Sequence, residues 1–385
     1  MAAVSREALS RAPFLRGPII DQYARGVVHT ELGLRTFETR LAAATRCGTP
    51  VHGTFYDSPH GLALRRWCPP LLGLEPHCSP VRYLARRREL GAYAASRALL
   101  RGSGIGCFLM ADSGGAPDEG RAPDEGRAPG EGWATGERAA PDEDADGGLC
   151  SPGELAAASG TRVGESVRLE ALAAQVADTS GTVRGFVANT AEALYGAAER
   201  AVAFLCEAAF LEGEPPGPQE VHRAAGRWLR TRPAGGAPSG EPALLRHLVW
   251  SALVTGRAVQ LRCDDPGPLA RFLRATAGRG PEVVLLPRAP HHRAAARLAA
   301  VFPHVYADVG PCPAGTLAEA PFGKLLFSSG ARTLPELYVV RARAFTAEME
   351  RLLSGWTREG VCSRVDAVRI AGRIAHGNAR RLYRL

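Results

Sequence analysis

Three acidic residues follow apolar segments in the C-terminal third of the chain and could do carboxylate chemistry. Asp264 and Asp265 come directly after the segment 258–263, and Asp308 ends the segment 304–308. If these segments are parallel strands, their carboxyl ends meet at one edge of a sheet, where ligands bind. Grouped carboxylates could hold Mg²⁺ there for phosphoryl chemistry. They are candidate catalytic residues, with the alternative that they cap turns and helices.

Arg288 and Gly310 follow strand-like segments in the same region and are expected at the same edge. The nearby pair His291–His292 is expected to begin a helix on the surface. The chain contains no phosphate-binding loop of the form G-x-x-x-x-G-K-[ST], so no nucleotide site is predicted from a motif.

A second group of candidate residues consists of cysteines and histidines within a Pro-rich segment. Zinc favours four such ligands in tetrahedral geometry, two of them from a tight pair. That tight pair is missing, so ordinary buried cysteines and surface histidines are the alternative to a zinc site. The candidate ligands are Cys47, His52, His60, Cys68, His77 and Cys78.

A basic helix is the third candidate. Arg82, Arg86, Arg87 and Arg88 share one predicted helix and could contact the phosphates of a nucleic acid. A solvated helix face is the alternative, because no nucleic-acid-binding fold signature accompanies the arginines.

The basic residues of the chain are almost all arginines, and the overall composition explains this bias. The formal net charge is +8, and of the 47 basic residues only Lys324 is a lysine. Asn occurs twice and Ile five times. Lys and Arg have similar helix propensities, so folding does not explain the bias, and a GC-rich genome does. By composition alone, the chain resembles proteins of GC-rich large DNA viruses, most of all alphaherpesviruses.

An acidic repeat interrupts the chain. Residues 111–150 hold 11 acidic residues and 3 arginines, a net charge of −8, and contain an imperfect repeat of A-P-D-E-G-R. Residues 111–148 of this segment contain one large apolar residue, Trp133, so they cannot compensate for the entropy of ordering. It is expected to be a disordered acidic linker.

The remaining elements predict two folded parts. Residues 12–110 are expected to form an α+β segment, and residues 151–256 a helical segment that includes one long helix over 187–211. In residues 257–385, short apolar segments alternate with helices of about three turns, which is typical of βαβ units. The predicted fold class is an α/β C-terminal domain with a small, mostly parallel sheet and flanking helices, plus the separate N-terminal segment.

The functional interpretation rests on two observations: the sequence contains no complete catalytic motif, and it predicts long amphipathic helices. It predicts a non-enzymatic, tegument-like viral adaptor whose partners are viral or host proteins. A phosphate-directed or degenerate enzyme with a carboxylate site at the strand ends is one alternative, and a zinc-stabilised nucleic-acid-binding regulator is another. No cofactor other than zinc and no membrane span is expected. The nine Cys without a disulfide framework predict an intracellular protein, in the host nucleus and cytoplasm or in the virion.

Overall fold

The computed structural model of the chain describes residues 13–45, 54–111, 149–207, 211, 213–238 and 240–385. Of the predicted acidic linker, residues 112–148 lie outside this description, and so do Cys47 and His52. None of the helices in the described ranges is long and apolar enough to cross a bilayer.

Eight parallel strands form one sheet in which each strand pairs with the next along the chain. The strands are β1 (Ile19–Ala24), β2 (Ile105–Ala111), β3 (Arg162–Arg168), β4 (Ala203–Glu207), β5 (Ala258–Cys263), β6 (Val283–Pro287), β7 (Val305–Asp308) and β8 (Leu325–Leu326).

Backbone hydrogen bonds between the first strand and the segment after the last strand nearly close the sheet into a barrel. The Gln22 amide donates to the Phe327 carbonyl at 3.1 Å, and the Gly330 amide donates to the Tyr23 carbonyl at 3.0 Å. Val27 continues the pairing with Thr333. The architecture is therefore a (β/α)₈ barrel that spans most of the chain.

Helices surround the strands and supply the outer layer. Before β4 they are α1 (Leu34–Thr45), α2 (Pro59–Trp67), α3 (Pro80–Leu90), α4 (Ala92–Gly102), α5 (Pro152–Ser159), α6 (Leu169–Asp178) and α7 (Val183–Arg200). After β4 they are α8 (Pro218–Thr231), α9 (Pro242–Val254), α10 (Ala270–Thr276), α11 (His292–Val301), α12 (Pro335–Arg358), α13 (Arg364–Gly372) and α14 (Asn378–Tyr383).

Two hydrophobic clusters follow from the alternation of side chains along each strand. In β5, Val259 and Leu261 point outward into the large cluster beneath the helices. Ala258 points inward and belongs to a second cluster inside the barrel, together with Leu109, Leu205 and Val284. Strand β6 is buried on both faces, and its sequence is therefore an uninterrupted apolar segment.

The predicted fold class is wrong in its main feature. The parallel sheet is not a small sheet of the C-terminal third, because β1 to β4 of the N-terminal half complete the same barrel. The boundary between residues 256 and 257 lies directly before β5, which pairs with β4 along its length. Cys150, at the end of the predicted linker, is buried, and its amide donates to the Val27 carbonyl at 2.8 Å.

The predicted helix over 187–211 combines two elements. Helix α7 begins after its cap Thr182 and ends at Arg200, and β4 follows three residues later. Leu205 and Cys206, which fall within the predicted helix, lie on opposite faces of β4. The segments 258–263 and 304–308, which were expected to be parallel strands, are confirmed as β5 and β7 to within one residue.

Candidate functional site

A cavity of about 490 Å³ opens at the end of the barrel where the strands terminate. Its lining comes from β1, from the ends of β5 to β7, from the segment after β8, and from α12. In (β/α)₈ barrels this face carries the catalytic and binding residues, because the loops that follow the strands converge there. The cavity is therefore the candidate functional site.

Five half-buried arginines line this cavity. Each of them lies near the mouth of the barrel; they are Arg25, Arg262, Arg288, Arg332 and Arg341. Among the described residues that line the cavity, Asp308 is the one carboxylate. Guanidinium groups bind carboxylates and phosphates through paired hydrogen bonds. The lining is thus suited to a small anion.

The contacts of three of these arginines fix their positions. Arg262 pairs with Glu207 at 2.8 Å between Nη1 and Oε1. Arg288 pairs with Asp264 at 3.1 Å, on the outer side of the rim, where the Asp264 side chain is 77% exposed. Arg341 donates to the Ser329 carbonyl at 2.6 Å. These contacts hold the guanidinium groups in place before any ligand binds, which lowers the entropy lost on binding.

A histidine and a buried carboxylate meet beside the arginines. His292, at the start of α11, places Nε2 3.6 Å from Oδ2 of Asp308, the last residue of β7. The Gly310 amide donates to the same oxygen at 3.1 Å. A Cβ on Gly310 would lie 2.7 Å from His292 Nε2, so glycine leaves the space that the imidazole occupies. Such a pair can accept and donate a proton in catalysis.

A second buried carboxylate holds the rim together. Asp21 accepts hydrogen bonds from the Ser329 amide at 2.8 Å, from the Tyr23 amide at 3.2 Å and from the Ser329 hydroxyl. Burial, only partly offset by these hydrogen bonds, raises the pKa of Asp21 to about 7. Asp21 therefore joins β1 to the segment after β8, from which Gly330 and Arg332 enter the cavity.

The structure does not bring the three candidate acids together. Asp308 is buried in the cavity, whereas Asp264 faces outward toward Arg288. Asp265 accepts a hydrogen bond from the Gly267 amide at 2.9 Å and so closes a turn before α10. The expected carboxylate cluster for Mg²⁺ is not formed, because the turn after β5 directs both of its acids to the rim.

The described zinc candidates are also apart. His60 lines the cavity, and His77 is exposed at a turn. Cys68 is fully buried, with its thiol 3.9 Å from the Glu336 carbonyl, and Cys78 is buried elsewhere. Among the residues that the structure describes, no three His, Cys, Asp or Glu side chains converge as metal ligands.

The basic helix α3 is an outer helix, and its arginines have separate roles. Arg87 is buried and pairs with Glu336 at 3.0 Å between Nε and Oε1. Arg86 donates to the Leu72 carbonyl at 3.1 Å, and Arg82 pairs with Glu75. Arg88 is exposed. The four arginines do not form one phosphate-binding face, because the helix turns them to different sides.

Sequence reasoning located part of the site. It placed Arg288, Asp308 and Gly310 at the strand ends, where they are found. The pair His291–His292 was expected to begin a helix on the surface; His292 does begin α11, but its side chain lines the cavity. Arg25, which follows β1 and lines the cavity, was not among the candidate residues.

The comparisons with known proteins concern the fold. No protein-family model matches the chain, and no curated protein sequence does. Among solved structures, a candidate metal-dependent hydrolase from Lactobacillus casei is similar, with 18% identity, a TM-score of 0.72, and 96% of each chain covered.

Two isomerases are also similar. The uronate isomerase from Thermotoga maritima has 10% identity and a TM-score of 0.62 over 100% of both chains. The glucuronate isomerase from Caulobacter crescentus has 12% identity and a TM-score of 0.63, with 96% of this chain and 92% of that chain covered.

The similarity to a metal-dependent hydrolase raises the question of a metal, and the described residues of this chain do not fit one. Of the cavity-lining side chains, only His60, His292 and Asp308 are ordinary metal ligands, and they do not form a group. The five arginines would also repel a divalent cation. No chemical step is therefore assigned to a metal.

The prediction of a non-enzymatic, tegument-like adaptor is contradicted. The amphipathic helices that were interpreted as docking surfaces, such as α7 and α12, bury their apolar sides in the large cluster around the barrel. The similar structures are described as enzymes or a candidate enzyme, and a cavity with polar lining opens at the face where such barrels carry their active sites. The geometry and the comparisons together show that this chain has a (β/α)₈-barrel fold. Its fold is similar to those of the candidate metal-dependent hydrolase and of the two isomerases.

Proposed function

We propose that the protein is an enzyme that binds a small carboxylated or phosphorylated molecule at the mouth of the barrel and transfers a proton with His292 and Asp308. The observation that carries the proposal is the convergence of five arginines and this pair in one cavity of about 490 Å³. A cavity of this size fits a molecule such as a sugar acid.

The arginines supply the binding step. Each guanidinium group can donate two hydrogen bonds to an anionic oxygen pair, and partial burial weakens the screening of these charges by salt. Arg262 and Arg288 approach from β5 and β6, while Arg25 approaches from β1 on the other side of the barrel. The substrate's anionic group is thereby held with its neighbouring carbon atoms inside the cavity.

The histidine and the aspartate supply the proton transfer. Asp308 is held by hydrogen bonds from Gly310 and Gln22 and orients the imidazole of His292. His292 lines the cavity, and the ring nitrogen that does not face Asp308 can take a proton from a carbon or hydroxyl group of the bound anion, then return it. The distance of 3.6 Å between the two groups is expected to shorten when a ligand excludes water.

The names of the similar isomerases suggest the first substrates to test. A uronate is a sugar with a carboxylate, so it has the charge that the arginines select. Proton transfer between neighbouring carbon atoms is the kind of reaction that one acid–base pair can perform. D-glucuronate and related sugar acids and sugar phosphates are therefore the first panel.

Anion binding is tested by calorimetry with inorganic phosphate and with D-glucuronate at low salt. Arg262→Gln and Arg288→Gln should each weaken binding about 10- to 100-fold, because a hydrogen bond to a charged group contributes about 1.5–3 kcal/mol. Arg223→Gln, on the exposed side of α8, is the matched control and should bind as the unmodified protein does. Equal affinities in all four proteins would refute the anion site.

Proton transfer is tested by NMR in D₂O, which detects deuterium that enters a carbon position of the bound compounds. His292→Gln and Asp308→Asn should slow this exchange by at least about 100-fold, the usual contribution of a general acid–base group. Both should retain anion binding. If no compound of the panel exchanges while phosphate still binds, the enzymatic part of the proposal fails.

A further inference from the structure

The C-terminal helix α14 seals the end of the barrel opposite the cavity. Asn378 donates to the carbonyls of Phe322 and Leu325, both at 2.7 Å, at the start of β8. Leu382 and Tyr383 belong to the same apolar cluster as the inward-facing residues of the strands, such as Ile20. Leu382 and Tyr383 are therefore buried at this end of the barrel, whereas Arg380, Arg381 and Arg384 of the same segment are exposed.

The hydroxyl of Tyr383 reaches the middle layer of the barrel. It donates to Gln22 Oε1 at 2.8 Å and accepts from Gln260 Nε2 at 2.9 Å. Gln260 Nε2 also donates to the Gln22 carbonyl at 2.9 Å. Burial raises the pKa of Tyr383 above its ordinary value, so the hydroxyl keeps its proton and remains a donor.

This donor decides which way the Gln22 amide faces. Because a phenol hydroxyl donates to the amide oxygen, the amide nitrogen must point to the opposite side. There Gln22 Nε2 donates to Asp308 Oδ1 at 3.2 Å. The other oxygen of Asp308 faces His292 at 3.6 Å. One line of contacts thus runs through the barrel from Tyr383 to His292.

We infer that Tyr383 is a positioning residue for the Asp308–His292 pair, acting through Gln22 from the opposite end of the barrel. The inference rests on the proposed function, which gives this pair its chemical role. Without the Tyr383 hydroxyl, the Gln22 amide oxygen loses its hydrogen-bond donor, and the contact with Asp308 alone orients the amide. The Gln22 side chain is then held less firmly, and so is the Asp308 carboxylate that it positions toward His292.

The test uses the full-length chain labelled with ¹⁵N-histidine, and follows the ring nitrogens of His292 by NMR. His292→Gln assigns the resonances, and Asp308→Asn gives the full effect of losing the carboxylate. Tyr383→Phe should shift the His292 resonances in the same direction as Asp308→Asn, by a smaller amount. Gln22→Met removes the hydrogen bond from Gln22 to Asp308. It is the second variant, to be used if Tyr383→Phe does not fold.

Tyr83→Phe is the matched control. Tyr83 is a fully buried tyrosine that also donates to a side-chain oxygen, Glu336 Oε1 at 2.8 Å, but it lies outside the barrel. This control should leave the His292 resonances unchanged. Phosphate affinity should change less than twofold in Tyr383→Phe, because the arginines are untouched, while any turnover found should fall about fivefold.

Two results would overturn the inference and have different meanings. If Asp308→Asn shifts the His292 resonances and neither Tyr383→Phe nor Gln22→Met does, the positioning role is refuted and the proposed function stands. If Asp308→Asn itself leaves His292 unchanged, the acid–base pair does not exist, and the proposed function falls together with the inference.

Discussion

Individual buried carboxylates have distinct roles at the mouth of this barrel. Asp308 is held toward His292, and Asp21 joins β1 to the segment after β8 through Ser329. Asp21 lies in β1 and Asp308 ends β7, and both are buried. At such positions hydrogen bonds must offset the loss of solvation of the carboxylate. For Asp21 the offset is incomplete, and its pKa rises to about 7.

The raised pKa of Asp21 predicts a specific dependence of stability on pH. Its pKa is 3.8 as an ordinary carboxyl and about 7 in the folded chain, so the folded state keeps the proton to higher pH than the unfolded state. The free energy of unfolding should therefore fall as the pH rises from about 4 to 7, and this contribution should then level off. The loss amounts to about 4 kcal/mol.

Urea unfolding of the unmodified protein and of Asp21→Asn between pH 4 and 8 measures this effect. The variant should lack this fall, so the difference between the two curves changes across the interval. Asp57→Asn, an exchange at an exposed carboxyl, corrects for the change in net charge. Curves for Asp21→Asn and the unmodified protein that stay parallel over the interval would contradict the prediction.

At the scale of elements, a buried ion pair joins two outer helices. Glu336, in the first turn of α12, is fully buried and meets Arg87 of α3 and the hydroxyl of Tyr83. Each charge alone would be costly in the apolar layer, so the pair stabilises the packing of the helices only while both partners are present.

Removing one partner should therefore be costly. Arg87→Ala leaves the Glu336 carboxylate buried without its cation and should lower the free energy of unfolding by about 3–5 kcal/mol. Arg88→Ala, one residue away on the exposed side of the same helix, should change it by less than about 0.5 kcal/mol.

Urea unfolding of both variants, and of Arg87→Leu combined with Glu336→Leu, provides the measurement. The double variant should recover part of the loss, because it removes the unpaired charge as well. Similar stabilities for Arg87→Ala and Arg88→Ala would show that the ion pair does not hold α3 against α12.

For the whole molecule, the barrel makes the two halves depend on each other. Strand β5 pairs with β4 from Ala203 and Ala258 to Glu207 and Arg262. The segment after β8 pairs with β1. A half-barrel therefore has two open edges and an exposed apolar interior.

A fragment of residues 257–385 tests this dependence. It should not unfold cooperatively, and its amide NMR spectrum should be poorly dispersed. Strand β4, the partner of β5, and strand β1, which pairs with the segment after β8, are both missing, as are the contacts of Gln260 and Tyr383 with Gln22. The full-length chain serves as the control and should unfold in a cooperative transition. A fragment with a cooperative transition of its own would restore the predicted domain boundary at residue 256.

The local elements of the C-terminal half follow from short-range sequence patterns. Segments such as Val283–Pro287 are apolar throughout, and the short helices α10 and α11 separate them. That pattern also placed Asp308 and Arg288 at strand ends. In the N-terminal half, β3 reads RVGESVR and β4 continues the apolar periodicity of α7, so neither has a local signal that distinguishes it.

The closure of these strands into one barrel, and the assembly of the site at its mouth, result from contacts between segments that are distant in the chain. Closure pairs Gln22 with Phe327, far apart in the chain, and the same closure brings Asp21 to Ser329 and Arg25 to the cavity. The position of His292 depends on the turn before α11 and on the space left by Gly310. These contacts depend on the three-dimensional packing of distant segments, and the spacing of residues along a single chain carries no signal of them.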